Sequence, residues 1–137
     1  MQLSEQWVLV TGGARGLGQS ITRALAREGA GVVINYLHSD AAAQALAEEL
    51  GPRALALQAD VTDAAAVQRL FAQVRERTGQ PISAVVNNAL AQFRFDGDAR
   101  PQIGDITWQR FAQQLEGAVK GALNTTQAAL PAMPEQG

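Results

Sequence analysis

The sequence predicts an α/β fold: a doubly wound parallel sheet with helices on both faces. Three observations carry that prediction. Short β-rich runs alternate with amphipathic stretches at helical spacing, the order expected when helical crossovers cover a parallel sheet. A glycine-rich turn, Thr11-Gly12-Gly13-Ala14-Arg15-Gly16-Leu17-Gly18, joins the first run to the first helical stretch. The chain of 137 residues, 47% hydrophobic and 18% charged, is one domain in size and can bury a core. About a fifth of it is alanine and 13 residues are glycine, which suits helices packed closely on a flat surface.

The elements follow in order. Trp7 to Thr11 reads as a buried strand, since apolar and β-branched residues run on without polar alternation. Leu17, Ile21, Ala24 and Leu25 recur at helical spacing, and Gly29 is a natural stop. Val32 to Tyr36 is the second strand. Ser39 or Asp40 can cap the next helix by accepting a backbone N–H bond, and Asp40 suits the cap best. That helix turns Ala43, Leu46, Ala47 and Leu50 inward and ends at Gly51-Pro52. Ala54 to Ala59 is a weaker third strand. Thr62 or Asp63 caps a helix with Val67, Leu70, Phe71 and Val74 inward, broken by Gly79-Gln80-Pro81. Ile82 to Asn87 is the fourth strand. Residues 91–105 show no period and read as a long surface loop, a common place for function. A single helix from Thr107 to Leu130 closes the series, with Phe111, Leu115, Val119 and Leu123 spaced for burial and Pro131 and Pro134 ending it.

Composition removes several classes of function. With no cysteine, disulfide scaffolds, thiolate zinc sites and thiol nucleophiles are excluded. His38 is the lone histidine, so a multi-histidine metal site is excluded as well, and no cluster of carboxylates suggests a metal. The net charge of −2 comes from 11 basic and 13 acidic residues spread along the chain, with no basic patch of nucleic-acid type. No apolar run approaches the ~20 residues of a membrane span. Residues 1–6 lack the basic and apolar regions of a secretory signal. The expectation is a soluble cytoplasmic protein without nucleic-acid or membrane partners.

The glycine-rich turn carries the chemistry. A dinucleotide pyrophosphate must lie against bare backbone, and the helix behind the turn offers free N–H groups and a positive dipole end. Gly12, Gly16 and Gly18 supply the room. The spacing is T-G-x-x-x-G-x-G; Ile21 stands where the commoner G-x-G-x-x-G pattern has its last glycine.

On these residues, and on three further motifs, the chain resembles the short-chain dehydrogenase/reductase family. Asp60-Val61 follows the third strand, where the family's adenine-contacting Asp lies. Asn87-Asn88-Ala89 matches the start of its N-N-A-G motif. Lys120-Gly121 and Thr126 to Pro131 look like its long interface helix. The resemblance covers the whole chain and is strongest toward the 3-oxoacyl-acyl-carrier-protein reductases. It implies a Rossmann-type domain over residues 1–137, hydride transfer to a small carbonyl or acyl substrate, and a homo-oligomer. It also assigns cofactor contacts: Gly12, Arg15, Gly16, Leu17 and Gly18 at the phosphates, Tyr36 and Ser39 at the adenosine ribose, Asp60 and Val61 at the adenine, Asn87 and Ala89 at the ribose side.

The sequence favours NADP over NAD. An acid about 20 residues past the glycines would bind the ribose hydroxyls and select NAD. Here that stretch reads Asn35-Tyr36-Leu37-His38-Ser39. Arg15 and Ser39 offer the cation and hydroxyl that a 2′-phosphate needs. A solvated surface charge is the plain alternative for Arg15, and an idle loop side chain for His38.

Three departures from the family pattern bear on activity. Leu90 replaces the glycine of N-N-A-G. Alignment on Lys120-Gly121 puts Ala118 where the family's catalytic Asn holds a water and bends its helix; alanine should do neither, and Asn124 comes too late to stand in. The resemblance places the family's catalytic Ser and its Tyr-x-x-x-Lys pair beyond Gly137, on a further strand and helix. Within residues 1–137 they have no counterpart, because Tyr36 is the sole tyrosine and lies at the adenosine end. No other catalytic constellation replaces them. The expectation is therefore the cofactor half of a reductase, with the fourth strand's outer edge open and apolar helix faces that invite association. A non-catalytic nucleotide-binding or interaction module is the second reading. A methyltransferase fits poorly, lacking an acid at the end of the second strand. Phe93, Phe95 and Trp108 offer apolar surface for a substrate, with core packing the plainer role for Trp108.

Overall fold

The computed structural model describes residues 2–90 and 101–133. Four parallel strands form one sheet in the order β3-β2-β1-β4. They are β1 Trp7–Val10, β2 Gly31–Tyr36, β3 Ala54–Gln58 and β4 Ala84–Val86. Helices α1 Gly16–Arg27, α2 Asp40–Leu50 and α3 Ala64–Thr78 connect them, and α4 Trp108–Leu115 and α5 Gly121–Ala129 follow β4. The fold class is as the sequence predicts. β1, β3 and β4 are shorter than their apolar runs.

Register explains the two faces. β1 pairs with β2 from Trp7–Gly31 to Val10–Ile34, and with β4 from Val8–Ala84 to Val10–Val86. Successive strand residues point to opposite sides. Val32, Ile34 and Tyr36 therefore pack with Ala14, Ala43 and Leu46 beneath α1 and α2. Leu9, Val33 and Leu57 pack with Leu70 and Val74 of α3 on the other side. β2 begins one residue earlier than its apolar run because Gly31 leaves space for the Trp7 indole, which a Cβ there would meet at 2.6 Å.

The helix termini are mostly those the sequence predicts. Asp63, rather than Thr62, caps α3, its carboxylate accepting the N–H groups of Ala65 and Ala66 at 2.9 and 3.2 Å. Gly79 ends α3 in the left-handed conformation, φ +72°. The cap of α2 is a correction. Ser39 occupies the cap position with no side-chain bond, and Asp40 is the first helical residue, its carboxylate accepting the Tyr36 hydroxyl instead.

The last helix departs furthest from expectation. α4 and α5 are joined by a π-helical turn over Glu116–Lys120 and end in a 3₁₀ turn over Leu130–Ala132. Phe111, Leu115, Val119 and Leu123 lie outward, each at least half exposed, and Trp108 is 74% exposed. The inward face is Gly117, Gly121, Asn124, Thr125 and Ala129. Close approach decides this: a Cβ on Gly121 would sit 2.8 Å from Val61 Cγ2, so only small or hydrogen-bonded side chains fit beneath the helix. In α1, likewise, Gly18 and Thr22 are the buried residues and Leu17 is 70% exposed. Of the long loop, Ile103–Asp105 forms a 3₁₀ turn. Phe93 and Phe95 lie outside the described residues. So do Pro134 and Gly137, the residue beyond which the resemblance puts the catalytic Ser, Tyr and Lys.

Candidate functional site: the cleft above β1 and β4

β2 and β3 lie to one side of β1, and β4 lies to the other. This reversal of strand order opens a crevice above the carboxyl ends of β1 and β4, the place where open parallel sheets bind ligands. Thr11 fastens the two ends together. Its N–H donates to the Val86 carbonyl at 3.0 Å, and its Oγ1 accepts the N–H groups of Asn88 and Ala89 at 2.9 and 3.0 Å. Asn88 Nδ2 returns bonds to the carbonyls of Thr11 and Gly12 at 3.0 and 3.3 Å. Asn35 does the same for the β2 end. Its carbonyl accepts Gly13 N–H at 3.0 Å and its Nδ2 donates to the Ala59 carbonyl at 3.0 Å. The tips of all four strands thus form one bonded rim.

The glycines of the turn do different work. Gly16, at φ +54°, faces open space, with nothing within 4 Å of where a Cβ would lie. This is the bare backbone that a pyrophosphate requires. Gly18 is closed instead: its Cβ would meet the Gly12 carbonyl oxygen at 2.2 Å and Asn88 Nδ2 at 2.6 Å. Gly12, at φ +62°, lies against Ala89, and a Cβ on Gly13 would meet the Val10 carbonyl at 2.9 Å. Gly12, Gly13 and Gly18 thus set the shape of the turn, and Gly16 leaves the room.

Arg15 occupies the cap position of α1 in extended conformation, its carbonyl accepting the Gln19 N–H at 3.2 Å and its exposed side chain with no hydrogen bond or ion pair to the described residues. Ser39 is also without a side-chain partner among them. Both are free to meet an anion. The Tyr36 ring is buried beneath α1 and α2, and its hydroxyl goes to Asp40. That bond holds the phenol above its ordinary pKa, burial adding to the effect. Asp60 Oδ1 is taken by the backbone and side chain of Thr62, at 2.9 and 2.7 Å.

A cavity of about 140 Å³ lies on the β4 side, lined by Thr11, Val61, Asn87, Asn88, Ala89, Leu90, Ala118, Gly121 and Ala122. Pockets for whole drug-sized ligands run to about 300–1,000 Å³. This one has room for about a single ring. The structure brings Val61, Asn87 and Ala89 together here, joined by Leu90 and Ala118. Arg15, Leu17, Tyr36 and Ser39 do not line the cavity.

Helix α5 braces its far wall. Asn124 Nδ2 donates to the Val61 carbonyl at 2.9 Å, and Thr125 Oγ1 lies 2.6 Å from Asn87 Oδ1. The sequence motifs assign no site role to Thr11, Asn35, Asn88, Asn124 or Thr125. Their common signal is a polar residue within an apolar run, such as Asn35 at the end of the second strand. One expectation is corrected: the helix does depart from α geometry around Ala118, without an asparagine. Buried Gly117 and the tight seat of Gly121 on Val61 set that path. Such π turns are frequent at functional sites.

Sheet order, glycine turn and crevice together define a Rossmann-type domain. The chain belongs to the short-chain dehydrogenase family, whose model matches residues 6–137. A sorbitol dehydrogenase of Cereibacter sphaeroides is 40% identical over 133 residues, which are 97% of this chain and 49% of that protein. A 3-oxoacyl-acyl-carrier-protein reductase of Staphylococcus aureus is 35% identical over 132 residues, 93% of this chain and 50% of that protein. A Burkholderia cenocepacia short-chain dehydrogenase solved in complex with NADP superposes with TM-score 0.79 at 36% identity, covering 97% of this chain and 53% of that one. A metagenomic blue fluorescent protein solved with NADPH gives TM-score 0.80 at 32% identity, over 100% of this chain and 55% of that one. The chain therefore spans about half the length of the relatives it matches.

Proposed function

We propose that this chain binds NADP(H) and forms the cofactor half, over residues 1–137, of a short-chain oxidoreductase that reduces a carbonyl, in the manner of the 3-oxoacyl reductases. The observation that carries the reading is Gly16: open backbone at positive φ, at the start of α1, beside the unpaired Arg15 and above the strand-order reversal. The NADP- and NADPH-bound neighbours support the same cofactor. Reduced nicotinamide supplies the hydride in such chemistry. Within this chain the α1 N-terminus and Gly16 hold the pyrophosphate, Arg15 and Ser39 face the 2′-phosphate, and Val61, Asn87 and Ala89 form walls for the bases and riboses. On this reading the Ser, Tyr and Lys of catalysis belong to sequence past Gly137. The outward apolar stripe from Phe111 to Leu123 supports self-association of the protein. No helix among the described residues is long and apolar enough to cross a membrane.

A second reading, a nucleotide-binding module without catalysis, draws on Leu90 and Ala118. Both line the cavity, and neither carries a group that can move a proton. Titration with NADPH, followed by its fluorescence, tests the shared part of the two readings: saturable micromolar binding is expected, and no binding at millimolar cofactor would overturn both. Oxidation of NADPH by a 3-oxoacyl thioester, followed at 340 nm, then separates them.

A further inference from the structure

The end of β2 bears on the choice between the two dinucleotides. We propose that the hydrogen bond from the Tyr36 hydroxyl to Asp40 is a cofactor-selection device. It keeps a carboxylate at the adenosine end engaged within the protein and so lets NADP(H) be accepted over NAD(H), a role that rests on the reading of this crevice as an NADP(H) site.

The placement comes from the rim. Asn35 ties the end of β2 to Gly12 and Gly13, its Oδ1 accepting Gly12 N–H at 3.4 Å and its carbonyl accepting Gly13 N–H at 3.0 Å. Ala14, next to the unpaired Arg15, packs in the same cluster as Tyr36. The start of α2 is therefore at the end of the crevice that Arg15 occupies. In folds of this kind an acid about 20 residues past the glycines accepts the ribose hydroxyls and selects the unphosphorylated cofactor. Asp40 stands close to that distance along the chain. Left free to turn toward the ligand, its carboxylate would come closer to a 2′-phosphate, which it repels, and could accept the hydroxyls of a ribose diol.

It is not free. The Tyr36 ring, 7% exposed, is wedged among Ala14, Ala43 and Leu46, so its hydroxyl is a donor fixed by the core. The carboxylate it holds belongs to an exposed residue that would otherwise sample many directions. Asp40 does not cap α2, and Ser39, which occupies the cap position, keeps its hydroxyl for a ligand. The phenol stays protonated at neutral pH. Asp40 raises its pKa most, burial adds to this, and Gln44, one turn along α2, opposes them.

The test compares NADPH and NADH binding by fluorescence titration in four proteins: the natural sequence, Tyr36→Phe, Asp40→Asn and the double variant. Phenylalanine keeps the buried ring, and thermal melting checks that the fold is retained. Tyr36→Phe is expected to lower the NADPH-to-NADH affinity ratio roughly tenfold, as a carboxylate released to turn toward a phosphate should. Adding Asp40→Asn is expected to restore the ratio, and Asp40→Asn alone to leave it unchanged or higher. An unchanged ratio in a folded Tyr36→Phe protein that still binds NADPH would overturn the proposal while leaving the NADP(H) reading intact. So would a double variant no better than Tyr36→Phe, which would put the hydroxyl itself on the phosphate. Natural-sequence protein that binds neither dinucleotide, or favours NADH, would overturn the cofactor reading and the proposal together.

Discussion

A methyl group added at Gly18 would lie 2.2 Å from a backbone oxygen, and no side-chain rotation relieves that. Gly18→Ala is expected to cost about 3 kcal/mol, the upper range for overpacking, and to lower the melting temperature by roughly 10 °C. Gly16→Ala meets no atom, but its positive φ costs about 1–2 kcal/mol. It should melt only slightly earlier than the natural protein while losing affinity for NADPH. Calorimetry paired with titration separates the two: if Gly18→Ala melts no earlier than Gly16→Ala, Gly18 does not shape the turn. Thr11 gives a third residue-scale expectation. Thr11→Val keeps the shape but strips two N–H groups of their acceptor, at about 1–3 kcal/mol for each buried group. Urea denaturation should show a loss of about 3 kcal/mol, largely recovered by Thr11→Ser. The sequence marks all of these glycines as permissive positions. It does not say which ones face a ligand and which face the protein, because that depends on where Asn88 and Ala89 arrive from β4, more than 70 residues away.

At the scale of elements, local chemistry sets the helix ends. Asp63→Ala removes both capping bonds at the start of α3 and should cost about 1 kcal/mol in denaturant unfolding, with Asp63→Asn or Ser recovering most of it. A bidentate ion pair joins α1 to α2: Arg23 Nε and Nη2 donate to Glu49 at 2.9 and 2.7 Å. The hydrogen bond from Arg23 lowers the Glu49 pKa below its ordinary value. A carboxylate with a lowered folded-state pKa contributes stability above its unfolded pKa and loses it as pH falls through the folded one. Stability should therefore drop slightly below about pH 4.5, an effect that Glu49→Gln removes and high salt weakens, since the pair is exposed. A slope that survives Glu49→Gln would assign the effect to another carboxylate. Strand and helix identities were legible from period and punctuation, since both are properties of neighbouring residues. The inward face of the last helix was not. Phe111, Leu115, Val119 and Leu123 form a correct helical stripe, but periodicity cannot tell which of two possible faces meets the sheet when the other is built of glycine, alanine and hydrogen-bonded threonine and asparagine.

For the whole molecule, that outward stripe is the feature with the largest consequence. Apolar side chains at 50–58% exposure along three turns are uncommon on a solitary surface. If they mediate self-association, Leu115→Glu with Leu123→Glu should shift sedimentation toward a smaller species. NADPH binding should persist, because neither leucine lines the cavity. Unchanged sedimentation would remove this face as an interface. Among the described residues β4 pairs only with β1.

The sequence by itself determined the order of strands and helices, the parallel sheet and the glycine turn at its first switch. These follow from short-range patterns: apolar period, caps, and glycine where backbone must bend or lie bare. Only the tertiary structure decided that Gly16 alone of the turn glycines faces empty space, that Thr11 and Asn88 stitch β1 to β4, that Asp40 is held by Tyr36 instead of capping its helix, and that α5 turns its small side chains inward. Each of these depends on which distant segment arrives within a few ångströms, and sheet order and close packing fix such distances where sequence spacing does not.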